Sequence, residues 1–113
     1  MTKQQKPDYV RAYEWATGRV ATRFGINVHW WLTRTEILPE LESAQWRADV
    51  MDGLLKDQKH HIQFTVMGNG QIAAIIYDAD SDMEEPNVDG TGAGSTPNAA
   101  LCAAVKAMME AQR

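Results

Sequence analysis

The stretch 78-DADSDMEEPNVDGTGAGSTP-97 holds the densest potential chemistry in the chain. Asp78, Asp80, Asp82, Glu84 and Asp89 fall at relative positions 1, 3, 5, 7 and 12, the spacing at which a calcium loop aims oxygens at one cation. Met83 stands where such a loop needs glycine, and Asp89 is shorter than the usual bidentate glutamate. These five are candidate metal ligands in what reads as a solvated acidic loop, with no resident ion or other cofactor expected. Gly90, Gly92, Gly94, Ser95 and Thr96 then lead into a helix start, where free N–H groups and the positive dipole end can hold an anion such as a nucleotide phosphate. No lysine follows as in a P-loop, the spacing is not G-x-G-x-x-G, and the adjacent carboxylates repel phosphate. A flexible acidic and glycine-rich loop over 78–96 is the expectation, with a small-ligand site at the helix entry as the alternative.

Catalysis has less support. Cys102 has Asn98 and Lys106 as helical neighbours but no base held against it, so a buried structural thiol is expected. His60 and His61 are adjacent in a strand, point to opposite faces and cannot share one metal with His29. No catalytic residue is assigned, and the chain reads as a non-enzyme. The first helix offers more. Arg11, Trp15, Arg19 and Arg23 recur every four residues away from an apolar stripe of Tyr9, Tyr13, Ala16, Val20 and Phe24, which predicts an exposed tryptophan among arginines. Those residue types are enriched at protein hot spots. Trp31, on the polar side of its own segment, joins them as a partner-binding candidate.

These side chains need elements to position them. Spacings of three and four from Asp8, closed by Gly25, predict a first helix. The segment 26-INVHWWLT-33 alternates and predicts a half-buried strand. Pro39 can open a second helix running to about Asp57, with Trp46 on its apolar face. Gly68-Asn69-Gly70 between two β-rich runs predicts a hairpin. Its second strand, 72–77, is apolar on both faces, which predicts helices on both sides of the sheet. Thr96 as N-cap and Pro97 at the first helical position open an alanine-rich last helix. The order α-β-α-β-β-α, with a small antiparallel sheet of about three strands, is an α+β sandwich forming one domain over 1–113.

Pro39, Ser43 and Trp46, the hairpin, and the closing Thr96-Pro97 helix with Ala100 to Ala107 around Cys102 and Lys106 resemble the phage α-β-α sandwich domain. The resemblance covers about two-thirds of the chain and departs from the family in the acidic and glycine-rich stretch and in Glu42-Ser43-Ala44. It implies a small accessory protein of a phage or prophage.

Composition limits the classes. A length of 113 residues suits one core. The net charge of −4 argues against a nucleic-acid partner, although residues 1–23 carry five basic and two acidic side chains while 78–89 carry six acidic and none basic. A single cysteine and no membrane-length apolar run point to a cytoplasmic protein with no membrane partner, and the resemblance implies that this cytoplasm is a host cell's. Stoichiometric binding to a host or phage protein, such as inhibition of a host defence, is the expected function, and a homo-oligomer is compatible with it.

Overall fold

The computed structural model describes residues 6–25, 28–57, 60–78 and 87–111. Helix α1 spans Asp8–Thr17 and α2 spans Ala44–Asp52, continued by a π turn at Gly53–Asp57. Strands β1 (His60–Val66), β2 (Ile72–Asp78) and β3 (Val88–Gly94) follow, and α3 (Pro97–Ala111) closes the fold. The three strands form one antiparallel sheet in the order β1-β2-β3. The architecture is α+β with helices packed against the sheet, in the order α-α-β-β-β-α. No described helix is long and apolar enough to cross a membrane.

The third strand is not the expected one. Residues 28–33 form no regular strand. Trp31 makes isolated bridges to Thr22 and Ile37, and Val28 is 76% exposed, so the alternation there reflects one buried residue, Trp30, rather than a half-buried strand. The glycine-rich run Val88–Gly94, expected within a loop, is the strand that pairs with β2. Gly90, Gly92 and Gly94 stand opposite Ile76, Ala74 and Ile72, on the face that meets α3. A Cβ on Gly90 would lie 2.6 Å from the Ala104 oxygen, one on Gly94 would lie 2.8 Å from the Ala99 Cβ, and one on Gly92 would overlap the Ala104 nitrogen. Glycine is required because the helix backbone lies against the strand, which the alanines of α3 permit. Residues 79–86 of the expected loop lie outside the described residues.

Among the described residues, helices do not cover both faces. Helix α3 lies over β2 and β3, and α1 and α2 pack against α3. On the other face His61, Gln63, Thr65, Thr91 and Ala93 are exposed. The core gathers Val10, Tyr13, Trp46, Val50, Leu54, Ala74, Ile76, Leu101, Val105 and Met108, all essentially buried. Trp46 donates its indole N–H to the Tyr9 carbonyl, 3.1 Å away, joining α2 to α1.

Several positions behind the family resemblance have structural roles. The Ser43 hydroxyl accepts from the Trp46 N–H and caps α2, which starts later than expected and leaves Pro39 outside it. The Thr96 hydroxyl accepts from the Ala99 N–H and caps α3.

Candidate partner-binding groove

Helix α1 ends earlier than its apolar period predicts. Gly18 takes a φ of 75°, in the left-handed region, and donates its N–H to the Glu14 carbonyl as a helix-terminating cap. The chain therefore leaves the helix before Arg19, and neither Arg19 nor Arg23 belongs to a helical face. Val20 and Phe24, expected in the core stripe, are 67% and 48% exposed.

The turn nevertheless assembles part of the expected surface. Lys6, Arg11, Glu14, Trp15, Gly18, Arg19, Val20 and Met109 line an open groove of about 440 Å³. Trp15 is half-buried and packs against the core, so it forms a wall rather than an exposed anchor. Arg23 lies elsewhere, its guanidinium 5.5 Å from the centre of the Trp30 ring, which Lys6 also approaches at 5.8 Å. Such contacts let a tryptophan sit beneath cations at the surface. Trp31 is also outside the groove, half-buried and tilted against Phe24 at 6.4 Å between ring centres.

Ion pairs fix the shape of the groove. Lys6 Nζ lies 2.7 Å from Glu14 Oε2, which also accepts the Ala21 N–H at 2.7 Å and so holds the chain that follows the turn. Asp8 lies 3.7 Å from Arg11 and 3.2 Å from Lys106. Arg19 donates two bonds to Glu36, at 3.0 and 2.8 Å. The guanidinium beside Glu36 holds its carboxyl below the usual range, and Glu36 in turn raises Arg19.

Arg19 also lines a second, more polar cavity of about 300 Å³ with Tyr13, Thr17, Glu36, Gln45, Asp49, Asp52 and Gly53. There Asp49 accepts from the Tyr13 hydroxyl and from the Gln45 amide, each at 2.6 Å. Burial, and then the Asp49 carboxylate, push the Tyr13 phenol well up. The i, i+4 spacing of Gln45 and Asp49 was available in the sequence, but their meeting with Tyr13 and Arg19 depends on how α2 crosses α1.

The other candidates are dispersed. Gly90, Gly92 and Gly94 are taken up by the contact with α3. Thr96 donates to Glu42 Oε1 at 2.9 Å besides capping the helix, and Ser95 is exposed. The entry to α3 thus has its own cap and a carboxylate beside it, which is poor geometry for a phosphate. Asp80, Asp82 and Glu84 lie outside the described residues. Asp78 ends β2, and Asp89 sits inside β3 at a bulge rather than in a loop, so the calcium-loop spacing does not correspond to one continuous loop. Asp89 Oδ2 lies 2.8 Å from His60 Nδ1, in contact but off the line of a hydrogen bond. Among the described residues no three His, Cys, Asp or Glu side chains form a group that could hold a metal ion. Cys102 is buried, and burial, reinforced by Asp8, pushes its thiol up to about 11. It is a protonated core residue at neutral pH.

No family model, curated protein or solved structure matches the chain.

Proposed function

We propose that this protein acts by stoichiometric binding to another protein, through the groove beside α1, and not by catalysis. The observation that carries this reading is the meeting of Arg11, Trp15 and Arg19 with the apolar Val20 and Met109 in one open groove. Apolar side chains set among charged ones are the anatomy of a protein contact, and the arginines and tryptophan are hot-spot residue types. The resemblance to phage α-β-α sandwich proteins extends the proposal to an accessory protein of a phage or prophage. Its partner would then be a host or phage protein in the host cytoplasm, and inhibition of a host defence is one form such binding would take.

Arg11→Glu combined with Val20→Asp tests this, because Arg11 is half-exposed and Val20 is 67% exposed, and neither belongs to the core. The far-ultraviolet circular dichroism should be unchanged, while recovery of a one-to-one partner by affinity capture from infected cells should fall about tenfold or more. Undiminished capture would remove the groove from the function. The small-ligand alternative is a nucleotide-like molecule held at the Gly-rich entry to α3, and native mass spectrometry of the purified protein separates the two. A retained small molecule with no protein partner would favour the ligand reading.

A further inference from the structure

The sheet has two edges, and they are protected very differently. The β3 edge carries a bulge between Ile76 and Tyr77 in its pairing with β2, an acidic residue at Asp89, and α3 packed against the face of that strand. Bulges, charges and covering helices are the means by which proteins keep sheet edges from pairing with other chains. The β1 edge has none of the first two. The sequence His60-His61-Ile62-Gln63-Phe64-Thr65-Val66 contains no lysine, arginine, carboxylate or proline, and its register with β2 is continuous over all seven residues.

The hairpin fixes which backbone groups face outward. Met67 donates its N–H to the Gln71 carbonyl at 2.7 Å. Hydrogen-bonded pairs in an antiparallel ladder alternate, so Thr65, Gln63 and His61 bond to β2, while the N–H and C=O groups of His60, Ile62, Phe64 and Val66 point away from it. Among the described residues no backbone hydrogen bond extends from that outer side. The same rim is apolar and incompletely covered. Ile62 and Phe64 are only partly buried, Val66 is 76% exposed, and Leu55, in the π turn packed against β1, is 45% exposed.

We propose that β1 pairs with β1 of a second copy of this chain, antiparallel about a two-fold axis through Gln63, joining two sheets into one of six strands. The register follows from the outward-facing groups. Ile62 pairs with Phe64 of the second copy and His60 with its Val66, each through the free N–H and C=O groups, while Gln63 faces its own counterpart as a non-hydrogen-bonded pair. Every outward group on the strand gains a partner. The apolar pair Ile62 and Phe64 continues the helix-covered face across the join, and two neutral glutamines meet on the open face. Because β1 carries no carboxylate, lysine or arginine, self-pairing opposes no like charges, which would otherwise destabilise directly opposed positions. A two-fold contact closes on itself and leaves only the protected β3 edges exposed, so assembly stops at the dimer. This inference is independent of the groove beside α1.

Sedimentation and a register-specific crosslink test it. The wild-type protein should sediment with twice the monomer mass at concentrations of about 100 µM and dissociate on dilution. Gln63→Cys should form a disulfide-linked dimer under mild oxidation, since the Cα atoms of such a pair lie about 4.5 Å apart, within disulfide range. Thr65→Cys should not, because its counterpart lies more than about 13 Å away. Gln63 is exposed, so Gln63→Glu should keep the fold by circular dichroism while raising the dimer dissociation constant several-fold. A wild-type protein that sediments as a monomer at about 100 µM, or equal crosslinking at both cysteine positions, would overturn the proposal.

Discussion

The seam between β3 and α3 and the segment 18–43 hold themselves together by opposite means. In the seam, three glycines face a helix of small residues and the backbones themselves make the contact, leaving no room for a methyl group. Among the described residues of 18–43 there is almost no regular structure. Trp30 lies beneath Lys6 and Arg23, Trp31 rests against Phe24, and Arg19 is forked onto Glu36. The seam has its specificity in what is absent from the side chains, whereas the segment has it in large groups joined through charge. Interior contact in the first case tolerates no addition, and surface contact in the second tolerates loss but responds to solvent conditions.

The largest expected effect tests the packed side of that contrast. Trp46→Ala removes a fully buried indole and its bond to the Tyr9 carbonyl, and should destabilise by about 3–5 kcal/mol. Denaturant midpoints measure it, and a loss below about 1 kcal/mol would show that the helix layer does not depend on this anchor. Next, Gly92→Ala should destabilise by about 1–3 kcal/mol through the overlap with Ala104. Gly68→Ala, at a turn position with nothing within 4 Å of the added carbon, should stay within about 0.5 kcal/mol. Equal losses at the two glycines would mean that the effect is general to glycine and not to the seam.

The smallest effect belongs to the segment. Because the guanidinium lowers the carboxyl of Glu36, the pair stabilises the fold above the ordinary glutamate range and loses that contribution as the pH falls through the lowered value. Glu36 is exposed, so the contribution is small and weakened by salt. The difference in denaturant midpoint between wild type and Glu36→Gln should be measurable at neutral pH and shrink as the pH falls below the ordinary glutamate range, or in about 1 M salt. A difference that persists at low pH would assign the stabilisation to packing instead.

The parts of the fold legible in the sequence are those with a local signature. Gly68-Asn69-Gly70 marked the hairpin, Thr96-Pro97 marked the start of α3, and the position of Trp46 among apolar neighbours marked its burial. The strand β3 was not legible, because glycine has no side chain with which to alternate and its reason for being there lies in a helix that follows it. The alternation misled over 28–33 for the converse reason: Trp30 is buried singly, and the backbone there makes only isolated bridges at Trp31, while residues 26 and 27 of the expected strand lie outside the described residues. Arg11 and Trp15 were placed on α1 correctly, while Arg19, which lines the groove, and Arg23, which does not, were assigned to that helix by extending a period across Gly18. A glycine within a helical pattern can be its end, and that signal was present.

The glycine seam also orders events during synthesis. A run such as 88-VDGTGAG-94 has little intrinsic tendency to extend, since each glycine gives up more conformational freedom than any other residue on being fixed. It becomes a strand only with α3 laid along it, and α3 is translated after it. Until those later residues have left the ribosome, the nascent sheet is a two-stranded hairpin, which is marginal by itself in water. The sheet therefore completes only once the helix that follows it has been made.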